Sequence, residues 1–165
     1  MGLALDFSKL QPQDVIDLAI FAEREAEEAY DRLAGLMSSQ GNDAIAMLFT
    51  RLSNWEKTHQ DRLSEKRQAL FPGVKAGLAD RAGWAVELPD DATVTAAITA
   101  KHALELALAA EVSAHEYYTE ALNYVSDKGL RDVLETLRRE ELGHRRLLEQ
   151  EIAKLATLGN TPSPQ

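Results

Sequence analysis

Leu137-Arg-Arg-Glu-Glu141-Leu-Gly-His144-Arg-Arg-Leu-Leu148 is the stretch that decides how this 165-residue chain folds. Leu137, Glu141, His144 and Leu148 follow one another at steps of four, three and four residues, so they share one face of an α-helix. Leucines frame that face, yet its middle is an acid and an imidazole. The pattern occurs once more, as Leu52-Ser-Asn-Trp-Glu56-Lys-Thr-His59 with Leu63 one turn on. One Glu-x-x-His arises readily by chance in an acidic chain. Two, framed alike by leucines, are much harder to obtain that way.

Outward from these segments, apolar periodicity divides the chain into four long helices. The first is expected from Pro12 to Met37, with Pro12 in its first turn and the cluster from Ser38 to Asp43 as the turn that follows. Asn42 or Asp43 caps the second, which runs to about Ala69 and stops at Phe71-Pro72-Gly73. Residues 72–92 hold Gly73, Gly77, Gly83, Pro72 and Pro89 without a sustained period, and read as a long crossover with Trp84 packed in it. The third helix is expected from Asp91 or Thr93 to about Ser126. The fourth follows the turn Asp127-Lys-Gly129 and ends near Leu158. Residues 1–158 are then one domain and 159–165 a frayed tail. The fold class expected is all-α, an antiparallel four-helix bundle of two helical hairpins with the long crossover between helices 2 and 3.

Steps of three and four residues trace one stripe along each helix. The first carries Ile16, Ala19, Glu23, Ala26, Tyr30, Leu33 and Met37; the second Ile45, Phe49, Leu52, Glu56, His59 and Leu63. The third carries Ala97, Ala100, Leu104, Ala107, Glu111, Ala114, Tyr118, Ala121 and Val125. The fourth carries Leu130, Leu134, Leu137, Glu141, His144 and Leu148. Every stripe is apolar but for its tyrosines and for acid or imidazole near its middle. A buried carboxylate costs several kcal/mol unless it is paired or neutralised, and several in one core also repel one another. No lysine or arginine lies on the stripes at that level. Two divalent cations would offset the charge, held by Glu23, Glu56, His59, Glu111, Glu141 and His144. On this reading Glu-x-x-His puts two ligands one turn apart, and Glu23 and Glu111 bridge the two ions. Oxygen and imidazole donors without thiolate suit iron, or manganese, better than structural zinc.

Glu23 and Tyr30 are spaced as Glu111 and Tyr118 are, so the two hairpins are expected to meet about a pseudo-twofold axis. Tyr30 and Tyr118 are candidates to donate to the carboxylates or to be oxidised at the site. His115 and His102 are read as ordinary surface or core histidines. Glu25, Glu27, Glu28, Glu140, Glu149 and Glu151 are read as solvated, and Trp55 as a packing residue. The run Ala103–Ala110, apolar nearly all round, calls for cover by the crossover or by a homodimer through the third helix.

Composition narrows the function classes. The chain has no cysteine, which removes disulfides, iron–sulfur clusters and thiol catalysis. A formal charge of -9 argues against nucleic acid and anionic membrane surfaces as partners. The first residues have no basic segment followed by an apolar run, and no stretch has membrane-spanning length, so a cytoplasmic protein is expected.

One Glu from each of two helices and Glu-x-x-His from the other two is the ligand set of ferritin-like di-iron bundles, whose hairpins are also joined by one long connection. The segments Ala22–Tyr30, Leu52–His59, Ala110–Tyr118 and Leu137–His144 resemble the rubrerythrin branch of that superfamily, over all four helices. The resemblance implies a non-haem di-iron carboxylate protein that uses oxygen or hydrogen peroxide as a ferroxidase or peroxidase. The alternatives are iron sequestration without turnover and a di-manganese catalase. There are two departures from rubrerythrins. The sequence lacks the cysteines of a rubredoxin domain, so an external electron donor is implied. It also has Ala114 where rubrerythrins place a further glutamate, which makes the six-residue set similar to that of bacterioferritin. Little chain follows Gly159 to form a fifth helix, so a dimer is expected rather than a cage.

Overall fold

The computed structural model describes residues 5–75 and 97–159. It contains four long helices, α1 (Pro12–Ser39), α2 (Asp43–Leu70), α3 (Ala100–Tyr124) and α4 (Lys128–Gly159), preceded by a 3-10 turn at Phe7–Lys9. Among the described residues there is no strand, and no helix is long and apolar enough to cross a membrane.

Local chemistry sets the helix ends. Pro12 occupies the first turn of α1, and the Asp14 carboxylate accepts the Gln11 backbone N–H at 2.9 Å. α1 closes in a Schellman turn: Asn42 N–H bonds Met37 O at 2.8 Å and Gly41 N–H bonds Ser38 O at 3.0 Å. That turn needs the left-handed φ of 74° at Gly41, which only glycine adopts at no steric cost. α3 starts later than the expected Asp91 or Thr93. Thr99 is extended and its hydroxyl accepts from His102 N–H, which makes it the N-cap. Ala97 is accordingly outside the helix and exposed, and Ile98 is buried instead. α3 ends at Tyr124 rather than Ser126. Asp127 caps α4 through Leu130 N–H at 2.7 Å, which places Gly129 inside the first turn of α4. Arg131 returns from α4 to the terminal carbonyls of α3, including Val125 O at 2.8 Å.

The two hairpins are α1 with α2 and α3 with α4, and they pack with α1 against α3 and α2 against α4. Contacts fix the directions. Tyr117 near the end of α3 donates to Val15 O at the start of α1 (2.5 Å), whereas Gln40 past the end of α1 donates to Ile98 O before α3 (3.0 Å). The two helices are therefore antiparallel. The end of α2 is tied to the start of α1 by Arg67, whose Nε lies 2.7 Å from buried Asp17. α2 thus ends at one pole of the bundle and α3 begins at the other, about 40 Å away at 1.5 Å per residue. The connection has to be long for that reason. Residues 76–96, with Trp84, and the tail 160–165 lie outside the described residues.

The core is in two apolar halves. Phe7, Val15, Ile16, Leu63, Leu130, Leu134 and Leu137 fill the half at the α1 start. Leu33, Met37, Phe49, Leu52, Leu104 and Leu148 fill the other. Leu106 and Leu108, from the run that called for extra cover, are half-buried against this second half. Phe7 was not anticipated. It plugs the first half, with its ring 5.3 Å from that of Tyr117.

Candidate metal centre

Between the two apolar halves lies one polar layer. All six residues singled out by their spacing meet there: Glu23 from α1, Glu56 and His59 from α2, Glu111 from α3, and Glu141 and His144 from α4. Each is buried, with between 1% and 7% of its surface exposed. Both Glu-x-x-His pairs turn inward because they continue leucine stripes, so the apolar flanks carry the polar groups into the core with them.

Both imidazoles point Nδ1 at carboxylates. His59 Nδ1 is 3.0 Å from Glu56, 3.1 Å from Glu141 and 3.4 Å from Glu23. His144 Nδ1 is 3.3 Å from Glu56, 3.3 Å from Glu111 and 3.4 Å from Glu141. The rings are stacked with centroids 5.4 Å apart. These donors form two groups, Glu23-Glu56-His59-Glu141 and Glu56-Glu111-Glu141-His144, with ligand atoms in each within 4.8 Å of one another. The residues common to both groups are Glu56 and Glu141, whereas the sequence reading gave the bridging positions to Glu23 and Glu111. Each histidine is grouped with the single glutamate of its own hairpin partner, and this leaves the Glu-x-x-His carboxylates in the middle.

Glu56 Oε1, His59 Nδ1 and Glu141 Oε1 are buried with no hydrogen bond, although other polar atoms are close. His59 Nδ1 and Glu141 Oε1 face each other at 3.1 Å without hydrogen-bond alignment, and all three atoms belong to residues of the two donor groups. That suits cations: donors bonded at about 2.0–2.2 Å across one ion are separated by little more than 4 Å. The layer therefore fits a pair of metal ions by donor type, by spacing and by its orphaned atoms.

The tyrosines complete the layer reciprocally. Tyr30 of α1 donates to Glu111 of α3 at 2.5 Å, and Tyr118 of α3 donates to Glu23 of α1. Each hydroxyl thus orients the glutamate on the opposite helix. Replacing Tyr118 by phenylalanine is expected to lower stability by about 1–3 kcal/mol, the typical cost of removing the donor to a buried acceptor. Denaturant melts of the metal-free protein measure this. Ala22, Ala26, Ala110 and Ala114 line a cavity of ≈ 20 Å³ beside Glu23, Glu56, Glu111 and Glu141, large enough for one water-sized molecule.

Burial dominates the electrostatics. It pushes Glu56 and Glu111 up to about 8, helped by Glu111 and Glu23 acting on Glu56 and by Glu141 acting on Glu111. Burial alone would lower both imidazoles, but the carboxylates outweigh it: Glu111, Glu141 and Glu56 push His144 up to about 12, and Glu141, Glu23 and Glu56 raise His59. Glu23 falls below its usual value because His59 and the Tyr118 hydroxyl overcome its burial. Burial, then the neighbouring carboxylates, holds Tyr30 and Tyr118 as neutral phenols.

Around the layer, Glu140 and Trp55 touch the two histidines. Glu140, taken as solvated, places Oε2 3.2 Å from His59 Nε2 and 2.6 Å from Arg62 Nη1. Trp55, taken as packing, stacks flat on His144 with centroids 4.8 Å apart. Each immediately precedes a Glu-x-x-His glutamate, and that adjacency was the signal available in the sequence. His115 and His102 take no part in either group of donors.

A family model described as Rubrerythrin matches residues 14–154. Among curated protein sequences no significant match is found. Three solved structures are similar. An uncharacterised conserved protein of Magnetospirillum magnetotacticum has a TM-score of 0.73 at 26% identity, with 94% of this chain and 99% of that one covered. A hypothetical protein of Pyrococcus furiosus has a TM-score of 0.74 at 22% identity, with 94% and 98% covered. The bacterioferritin of Rhodobacter capsulatus, described with a metal-free dinuclear site and haem iron, has a TM-score of 0.69 at 22% identity, with 93% and 96% covered. These likenesses establish the ferritin-like fold, and the match along most of the sequence identifies the family: the chain belongs to the rubrerythrin family.

Proposed function

We propose that this protein is a non-haem di-iron carboxylate oxidoreductase whose ferrous ions are oxidised by oxygen or hydrogen peroxide. The observation that carries the reading is the set Glu56 Oε1, His59 Nδ1 and Glu141 Oε1, buried without a hydrogen bond among residues that form two donor groups. Glu23, Glu56, His59 and Glu141 would hold one ion, and Glu56, Glu111, Glu141 and His144 the other. When bound, iron supplies the redox chemistry, with carboxylate donors favouring the ferric state.

The chain's own groups prepare that site. Tyr30 and Tyr118 hold Glu111 and Glu23 in place by their hydroxyl hydrogen bonds. The apolar halves on either side exclude water from the carboxylates. The alanine-lined cavity lies against the four glutamates and supports a small oxidant in preference to an organic substrate. An external electron donor, a homodimer through α3 and a cytoplasmic setting belong to the same proposal.

The test is to load the protein with Fe(II) without air, confirm two ions per chain, and add oxygen or peroxide in a stopped-flow instrument. Ferric absorbance is expected to grow far faster than for free Fe(II) in the same buffer. Bound Fe(II) that stays ferrous with both oxidants would leave sequestration as the function. Two manganese ions in protein purified without added metal, together with peroxide disproportionation, would assign a catalase instead.

A further inference from the structure

The two Glu-x-x-His pairs occupy matching places between leucines on α2 and α4, yet the residues behind their histidines have opposite chemistry. Glu140 and Trp55 each stand one position before the glutamate of their motif, and each reaches across the α2–α4 interface to the other helix's histidine. Glu140 Oε2 lies 3.2 Å from the outer nitrogen of His59 and is anchored by Arg62 Nη1 at 2.6 Å. Trp55 instead lays its indole on the His144 ring, the two planes 9° apart, with the Arg51 guanidinium 5.0 Å from the indole centroid. Among the described residues, no carboxylate lies within ion-pair distance of His144 Nε2.

The difference has a direct consequence for metal binding. A carboxylate at the outer nitrogen keeps the N–H there, leaves the Nδ1 lone pair facing inward, and makes the imidazole a stronger donor. A stacked indole restrains the ring but accepts nothing from its in-plane N–H. We propose that the two halves of the centre are unequal: Glu140 makes the position at Glu23 and His59 the tighter one, and the position at Glu111 and His144 fills second and empties first. The inference rests on the metal-centre reading above, and Glu140 acts in it as a positioning residue.

Titration with Co(II), followed by its visible absorbance, tests this without turnover. Wild-type protein is expected to bind in two resolved steps. Glu140→Gln keeps the shape and removes the charge, and should weaken the first step by about 10–100-fold, so that the steps merge. The reciprocal Trp55→Glu should tighten the second step. Proton NMR of the Co(II) form adds a readout that general loosening would not move. One shifted imidazole N–H, from His59, should resist exchange with water, and that protection should be lost in Glu140→Gln while the metal-free melting temperature is unchanged. A single step in the wild type, or a ratio of steps unaltered in Glu140→Gln, overturns the inequality. A protein that takes up no Co(II) overturns the metal-centre reading, and this inference with it.

Discussion

Glu56→Gln is expected to abolish the metal-dependent part of the protein's thermal stability at both positions at once. Glu56 belongs to both donor groups, so one substitution removes a ligand from each. A ligand present at about 100 times its dissociation constant adds about 2.7 kcal/mol per site. For a chain of this length that is about 5–10 °C each, so two ions should raise Tm by about 10–20 °C. Glu56→Gln should lose nearly all of that shift. Glu23→Gln, which touches one group, should lose about half. Metal-free Glu56→Gln should melt close to the metal-free wild type, because glutamine keeps the volume and, like the protonated acid that burial favours at Glu56, carries no charge. Melts by circular dichroism with and without metal, together with elemental analysis, give the comparison. A full metal-dependent shift in Glu56→Gln would sink the shared-ligand assignment.

The second large effect is on pH. Glu56 and Glu111 sit near 8 in the metal-free fold against an ordinary 4.5, so the folded chain holds their protons more tightly than the unfolded chain does. Their contribution to stability is greatest at low pH and is lost as pH rises from about 4.5 through about 8. His59 and His144 are also raised. Their contribution is complete below about 6.5 and is lost as pH climbs toward their folded values, so it acts in the same direction. Glu23 is lowered and opposes them, but only at the acid end, as pH falls below about 4.5. Between about pH 5.5 and about pH 8.5 the metal-free protein should therefore lose stability. One pKa unit on each of two carboxylates corresponds to about 2.7 kcal/mol, or roughly 5–10 °C of Tm. Metal ions must displace these protons to bind, so metal affinity should rise over the same window and the gap between loaded and metal-free Tm should widen. A metal-free Tm that increases with pH across that window contradicts the account.

Much of this was legible before any coordinates. Helix boundaries near Pro12, Gly41 and Phe71 follow from chemistry within one turn of chain, and so could be read from neighbouring residues. The start of α3 was missed because the apolar pattern continues upstream of Thr99, whereas the threonine side chain caps the helix at that point. Glu140 was read as one of the many solvated glutamates of a long acidic helix; its side chain does keep part of its surface in solvent, and its contact with His59 comes from another helix, which periodicity along α4 cannot show.

What the sequence by itself determined is the set of residues sent into the core. Helical periodicity is a local property, and an acid on a leucine stripe is buried wherever the stripe is buried. That is enough to specify four helices and to bring Glu23, Glu56, His59, Glu111, Glu141 and His144 to one level. Only the tertiary structure decided how those residues divide. Glu56 and Glu141 are the shared pair, Tyr30 and Tyr118 exchange partners between α1 and α3, and Glu140 and Trp55 make the two histidines different. Each of these depends on which side chain reaches across from another helix, over distances of a few ångströms set by how the hairpins pack, and periodicity along one helix contains no such information.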